Sequence, residues 1–197
     1  MRFVIALILL VLAGCDKESE PKGQAQPAST GQAGASDNAE ITLESANGMR
    51  AMLSYKFAGQ KAPSAPFADA QGQDVSLADF EGKPLLLNIW ATWCAPCKAE
   101  MPTLDALAKL EKGRMNVIAV SQDLEGRAPV VAFFTETGVK NLVPYTDADN
   151  ALLTAFNNAI ALPTTILYDS DGKEVWRVAG GVEWDEAEMA KLLRAAD

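Results

Sequence analysis

Two of the chain's three cysteines stand two residues apart, in Trp93-Cys94-Ala-Pro-Cys97. They follow an apolar run, Leu85–Trp90, and precede a segment of helical periodicity, Lys98–Lys112. This order predicts a buried strand, a tight turn and a helix. Unpaired N–H groups and the dipole at a helix start favour the thiolate form of a cysteine there. We therefore predict that Cys94 is a nucleophile that attacks disulfides.

The second cysteine resolves the product of that attack. Cys97 lies about one helical turn after Cys94, so it can close a small disulfide ring and release a bound partner. Pro96 lacks a backbone donor and stiffens that ring. A purely structural disulfide is the alternative, but so short a loop contributes little chain-entropy stabilisation. A zinc site would need further ligands, and the chain has no histidine and no second pair of this spacing. The pair predicts redox exchange without metal or cofactor.

The composition limits the other possibilities. The 197 residues are 49% hydrophobic and 22% charged, which is ordinary for a globular protein. The absence of histidine excludes Ser-His, Cys-His and His-ligated metal mechanisms. A formal net charge of −9 argues against nucleic acid as a partner.

The segment Asn88–Pro102, which reads Asn-Ile-Trp-Ala-Thr-Trp-Cys-Ala-Pro-Cys-Lys-Ala-Glu-Met-Pro, resembles the active-site region of the TlpA/ResA branch of thioredoxin-like proteins. A distant Leu162-Pro-Thr-Thr165 supports the resemblance, which covers roughly residues 60–197. It implies an α/β thioredoxin-like fold: a mixed central sheet flanked by helices, with an N-terminal hairpin and a central insertion around residues 122–160. Members of this branch are extracytoplasmic thiol–disulfide oxidoreductases, usually reducing ones.

The resemblance also implies roles for side chains outside the cysteine pair. Thioredoxin has an ionisable aspartate six residues before its first cysteine, where this chain has Asn88. The TlpA/ResA pattern has a glutamate at the position of Glu100, which we expect to exchange protons with Cys97 as a third catalytic residue. A solvated glutamate in the first helical turn is the alternative reading.

Four residues are expected to bind the substrate. By resemblance, Pro163 follows a cis peptide bond and faces the cysteine pair, so that the backbone of Leu162 can pair with an extended client segment. Trp93 and Pro96 are expected to form an apolar rim around the reactive sulfur.

The N-terminus predicts a lipid anchor. Arg2 and the apolar run Phe3–Leu12 have the pattern of a signal peptide and are too short for a comfortable transmembrane helix. Leu12-Ala-Gly-Cys15 resembles a bacterial lipobox, which implies removal of residues 1–14 and lipidation of Cys15. An ordinary signal with a chance cysteine is the alternative. Asp16 resembles the inner-membrane retention signal of enteric lipoproteins.

We divide the remaining chain by composition. Residues 15–40 are predicted to be a flexible tether, residues 41–59 an extension of two short strands around Asn47-Gly48 or a loosely docked segment, and residues 60–197 the thioredoxin-like domain. Smaller features are a hairpin around Gln71-Gly72, a helix over Pro129–Thr137, a cap at Asp149 for a helix at Ala151–Asn157, a hairpin around Asp169–Gly172, a capping box of Asp185 and Glu188, and solvated acidic side chains near Asp147.

The expected function is reduction of client disulfides on the periplasmic face of the membrane. The resemblance implies apocytochrome c or copper-site proteins as clients, and a membrane-embedded thiol donor that keeps the Cys94/Cys97 pair reduced. A disulfide oxidase or isomerase with the same site is one alternative. A thiol peroxidase and a non-enzymatic lipoprotein that carries copper or acts as a scaffold are the others.

Overall fold

The fold was analysed in a computed structural model, which describes residues 40–45, 48–157 and 160–196. The predicted signal peptide, Cys15 and the tether up to residue 39 lie outside these ranges. None of the helices within them has the length and apolar character needed to cross a bilayer.

One mixed sheet holds the nine strands of the described residues, in the order β1-β2-β9-β8-β5-β6-β7-β3-β4. The β5/β6 and β6/β7 pairs are parallel and the other pairs are antiparallel. The strands are β1 (Glu40–Glu44), β2 (Arg50–Ser54), β3 (Phe67–Ala68), β4 (Asp74–Val75), β5 (Leu85–Trp90), β6 (Asn116–Ser121), β7 (Pro144–Thr146), β8 (Thr164–Tyr168) and β9 (Glu174–Ala179).

Helices cover both faces of this sheet, which confirms the predicted fold class. They are α1 (Ala95–Leu110), α2 (Arg127–Thr137), α3 (Ala151–Ala155) and α4 (Ala187–Leu193), with short 3-10 helices at Leu77–Phe80 and Arg194–Ala196. The insertion expected around residues 122–160 contains α2, β7 and α3.

The central strand β5 explains the unbroken apolar run before the cysteines. All six of its residues are buried, because its side chains alternate between two cores. Leu86 and Trp90 pack with residues of α1, α2 and α4. Leu87 and Ile89 pack on the other face with Phe67 and with residues of α3. The loop that carries Cys94 therefore starts from a strand that is buried along its whole length.

The segment before the main domain forms two strands, the first of the two structures expected for it. β1 and β2 make an antiparallel hairpin, and β2 extends the sheet by pairing with β9. Ala51 and Leu53 of β2 are buried in the core cluster that also contains both cysteines. The hairpin is thus built into the sheet.

The predicted cap of α3 is wrong in its residue. Asp147, not Asp149, accepts hydrogen bonds from the N–H groups of Ala151 (2.8 Å) and Leu152 (2.9 Å). Asp147 is also buried rather than solvated. Burial raises its pKa above the ordinary value, against the opposing effect of these backbone hydrogen bonds.

The predicted capping box before α4 is also wrong. The helix begins at Ala187 with Glu186 at the cap position, so Asp185 lies one residue too early to cap it. Glu188 instead forms an exposed ion pair with Lys191 at 3.2 Å, one turn further along the helix.

Candidate active site

The two cysteines form a disulfide at the N-terminus of α1. Cys94 is the cap residue of the helix, its Cα lies 5.3 Å from that of Cys97, and the two sulfurs are bonded. The Cys97 N–H also points at the Cys94 sulfur, at 3.3 Å. This is the strand, turn and helix that the sequence predicted, with the first sulfur where helix N–H groups are unpaired.

Solvent reaches the two cysteines unequally. Cys94 exposes 6% of its surface and Cys97 none. Cys94 is less accessible than the sequence prediction suggested, but exposed side chains flank it: Trp93 is 67% exposed, and Pro96 is also exposed. A partner can therefore approach the disulfide only at the Cys94 sulfur.

A buried aspartate that sequence reasoning missed holds the loop before Cys94. Asp123 is 1% exposed and accepts hydrogen bonds from the Thr92 N–H (2.9 Å) and hydroxyl (2.6 Å). It also accepts one from the Ser121 hydroxyl at 2.5 Å. Ser121 ends β6, which runs parallel to β5, so the aspartate fastens the reactive loop to the neighbouring strand end.

Glu100 is fully buried on α1, one turn after Cys97, which contradicts the solvated alternative. It accepts hydrogen bonds from the Asn88 amide (2.7 Å) and the Val182 N–H (3.1 Å). Burial raises the pKa of Glu100 to about 8, because hydrogen bonding to Val182, Asn88 and the Trp184 side chain only partly offsets the loss of water. Asn88 also donates to the Thr165 hydroxyl at 2.9 Å.

The loop after β9 connects the remaining parts of the site. The Gly180 N–H donates to the carbonyl of Pro163 (2.8 Å), and the Trp184 N–H donates to the Thr103 hydroxyl of α1 (3.1 Å). With the bond from Val182 to Glu100, this loop holds both α1 and the proline segment. Sequence reasoning missed it, because backbone donors leave no side-chain signal.

The Leu162–Pro163 peptide bond is cis. Thr164, the next residue, pairs with Ile89 of β5, so the proline lies beside the end of the strand that leads to Cys94. Leu162 packs against the core cluster that includes both cysteines. The two distant sequence motifs therefore meet at one end of the sheet.

The described residues contain no cluster of three or more His, Cys, Asp or Glu side chains that could hold a metal ion. The geometry of the described residues supports disulfide exchange by the two cysteines, with the titratable carboxyl of Glu100 one helical turn after Cys97.

Comparisons with known proteins agree with this chemistry. The profile of the Redoxin family matches residues 57–193. The thiol-disulfide oxidoreductase ResA of Bacillus thuringiensis subsp. konkukian (strain 97-27) is 34% identical over 123 residues, which are 62% of this chain and 69% of ResA.

Solved structures show the same fold. A candidate thiol:disulfide interchange protein DsbE of Chlorobium tepidum superposes with a TM-score of 0.62 at 25% identity, over 71% of this chain and 98% of that one. The exposed lipoprotein thioredoxin of Streptococcus pneumoniae strain TIGR4 superposes with a TM-score of 0.53 at 25% identity, over 66% and 96%. The chain belongs to the Redoxin family and is a thiol–disulfide oxidoreductase similar to ResA.

Proposed function

We propose that this oxidoreductase is a lipid-anchored, extracytoplasmic reductase of client protein disulfides. The observation that carries the proposal is the asymmetry of the pair: Cys94 exposes 6% of its surface, whereas Cys97 exposes none and lies one turn from the protonatable Glu100. One sulfur can meet a client, and the other can meet only its own neighbour.

The reaction starts from the dithiol. The Cys94 thiolate attacks a client disulfide, forms a mixed disulfide and expels one client thiolate, which takes up a proton. Cys97 then loses its proton and attacks the Cys94 sulfur. The Cys94–Cys97 bond forms, the bond to the client breaks, and the second client thiol leaves. Two electrons have passed from the protein to the client. A membrane-embedded dithiol donor restores the reduced pair by the same exchange in reverse.

In this proposal, Glu100 handles the proton of Cys97. With a pKa of about 8, roughly a tenth of the Glu100 side chains are ionised at pH 7. The ionised form can accept the Cys97 proton during its attack and return it when the pair is reduced. A group whose pKa lies near the working pH suits transfer in both directions.

The client segment is expected to lie beside Leu162. None of the backbone hydrogen bonds found among the described residues involves Leu162, although its neighbour Pro163 accepts one from Gly180. The Leu162 N–H and C=O can therefore pair with an extended client chain in the manner of an added strand. Trp93 and Pro96 supply apolar contact on the side of Cys94.

The proposals about membrane anchoring and about clients rest on the sequence and on its similarity to known proteins. The lipobox ending at Cys15, and the likeness to a protein described as an exposed lipoprotein thioredoxin, support attachment to the membrane outside the cytosol. The likeness to ResA and to a candidate DsbE supports a reductase. We propose apocytochrome c or copper-site proteins as clients and a membrane thiol donor as partner.

Redox titration tests the direction of electron flow. A reductase should have a midpoint potential nearer to about −270 mV, as in thioredoxin, than to about −120 mV, as in DsbA. In cells, a Cys97→Ser variant should accumulate mixed disulfides on Cys94, whereas a Cys94→Ser variant should not. A midpoint potential close to that of DsbA would indicate an oxidase instead of a reductase.

The role of Glu100 is tested by the resolving step alone. We expect Glu100→Gln to slow release of a thiol from a preformed mixed disulfide on Cys94 by about 10- to 100-fold at pH 7. Formation of the mixed disulfide should change less, because it uses the Cys94 thiolate. Equal slowing of both steps would show that Glu100 acts by maintaining the structure of the site and not by proton transfer to or from Cys97.

A Cys15→Ser variant tests the anchor. Mass spectrometry should find a lipid on Cys15 of the wild-type protein and none in the variant. A mature wild-type protein without lipid at this cysteine would contradict the anchor.

A further inference from the structure

The N-terminal hairpin lies before the part of the chain that matches the Redoxin family, yet it reaches the reactive end of the sheet. The family match begins at residue 57, whereas β1 and β2 end at Ser54. Met52 pairs with Ala179 at the end of β9, so the chain just before β2 meets the loop that follows β9. That loop holds Glu100 and the proline segment.

Two glycines allow the close approach. A methyl group added at Gly180 would lie 2.6 Å from the Arg50 carbonyl oxygen. One added at Gly181 would lie 3.3 Å from the Met49 sulfur and 3.3 Å from the Pro96 carbonyl oxygen. The Met49 sulfur and the Pro96 backbone therefore both lie against Gly181, which brings the hairpin next to the active-site turn.

The turn that presents Met49 is held in place. The Met49 carbonyl accepts a hydrogen bond from the Ser45 N–H at 2.9 Å, and Ser45 is itself buried. The Met49 side chain is partly exposed. Its thioether is flexible and polarizable, a property that suits contact with varied apolar partners.

A client bonded to the Cys94 sulfur must pass over the residues around it. Trp93 and Pro96 offer apolar surface, and the partly exposed Met49, which lies against Gly181 as Pro96 does, adds to that surface. We propose that Met49 is a specificity-determining residue that contacts a side chain flanking the client's disulfide cysteine and favours an apolar one. This inference rests on the proposed attack of Cys94 on an extended client segment.

Two synthetic peptide disulfides test the proposal, identical except for Leu or Gln beside the reactive cysteine, with oxidised glutathione as a small disulfide. We expect reduced wild-type protein to prefer the Leu peptide in kcat/KM. Met49→Gln should lower kcat/KM for the Leu peptide by about three- to tenfold, as expected from the loss of one partly buried apolar contact. The kcat/KM values for the Gln peptide and for oxidised glutathione should change less than about twofold, because these substrates offer no apolar side chain for Met49 to contact.

Matched variants make the test specific. Met49→Leu should retain the preference, because it keeps an apolar side chain of similar volume. Met52→Gln is the control, since Met52 lies on the same hairpin and is 39% exposed, and its sulfur accepts a hydrogen bond from the Thr42 hydroxyl on β1 at 3.5 Å. It should behave as wild type.

Three results would overturn the inference: no preference in the wild-type protein, an unchanged preference in Met49→Gln, or an equal loss on all three substrates in that variant. Failure of the wild-type protein to exchange with any of the disulfides would instead overturn the proposed function on which the inference rests.

Discussion

Two carboxylates on α1 are buried in different surroundings. Glu100, near the start of the helix, is fully buried and accepts hydrogen bonds from Asn88 and Val182. Asp105, in the middle, is 9% exposed and accepts four, from the N–H groups of residues 140, 141 and 142 and from the Asn141 amide. Both reach across to another segment of the chain, but only Glu100 lies one turn from a reactive cysteine.

The two carboxylates differ in the groups that donate to them. Four donors hold Asp105 to the segment after α2. Burial raises the pKa of Glu100 to about 8, although hydrogen bonding to Val182, Asn88 and Trp184 opposes that rise. A carboxyl with that pKa can gain or lose a proton near neutral pH.

The largest predicted effect is a pH dependence of stability that belongs to Glu100. Between pH 4.5 and 8 the unfolded chain releases the Glu100 proton while the folded protein keeps it. The stabilisation is fully present below pH 4.5 and is lost as the pH rises toward 8, at up to about 1.4 kcal/mol per pH unit. From pH 5 to pH 8 the free energy of unfolding should fall by on the order of 4 kcal/mol through this group.

Urea unfolding of the disulfide form at pH 5 and pH 8 measures this effect. Glu100→Gln should lose less stability over this interval than the wild-type protein. Parallel pH profiles for the two proteins would show that Glu100 titrates as an ordinary glutamate.

Asp105→Ala should have the next largest effect, with no dependence on redox chemistry. Loss of the shared acceptor leaves three backbone N–H groups without this partner, and that of Leu142 is buried. The free energy of unfolding should therefore fall by about 3 kcal/mol. Asp105→Asn is the graded control, because one oxygen can still accept the three backbone hydrogen bonds. Folded Asp105→Ala protein should exchange disulfides at the wild-type rate, and a slower rate would give Asp105 a part in the site.

Asp123 is a third buried carboxylate, and it holds the loop before Cys94. We expect Asp123→Asn to lower the free energy of unfolding by about 2 kcal/mol, because an amide has one acceptor oxygen. That oxygen can accept either from the Thr92 N–H and the Ser121 hydroxyl, which share one carboxylate oxygen, or from the Thr92 hydroxyl, but not from all three. Attack by Cys94 on glutathione disulfide should slow as the loop loosens. Thr92→Val, which keeps the backbone hydrogen bond, should slow it less. Full activity in Asp123→Asn would make the aspartate purely structural.

The smallest effect is expected at Thr103. Thr103→Val removes the hydroxyl that accepts from the Trp184 N–H, at a cost of about 1 kcal/mol in the free energy of unfolding. Thermal unfolding measures it. The pH profile of Glu100 should change little, since the Asn88 amide and the Val182 N–H remain in place. A shifted profile would show that the Trp184 side chain, which also lowers the pKa of Glu100, depends on this hydrogen bond.

The sequence predicted the elements whose signals are local. The apolar run Leu85–Trp90 and the periodic segment after it defined strand and helix, and the turn residues of Asp169–Gly172 marked the hairpin between β8 and β9. The likeness of Leu162–Thr165 to a known motif placed the proline segment. In each case a few neighbouring residues suffice, because backbone conformation follows from local sterics and periodicity.

Contacts between distant segments could not be predicted in the same way. Val182 lies 82 residues from Glu100 and contributes only a backbone N–H, which any residue would offer. Asp147, and not the predicted Asp149, accepts the hydrogen bonds from the first N–H groups of α3. A turn closed by the hydrogen bond from the Asn150 N–H to the Asp147 carbonyl precedes that helix. Asp123 had a usable signal: it follows β6 closely, and the carboxyl ends of parallel strands lie at the same edge as the reactive loop.

The complete burial of Cys97 limits how many clients the enzyme can hold. Within the described residues, a client can attach covalently only to Cys94, so a second client molecule cannot join before the first has been displaced. The stoichiometry of any trapped adduct at this site is therefore one to one. A stalled client can be released from inside the protein by Cys97, or from outside by a thiol that attacks the mixed disulfide on Cys94.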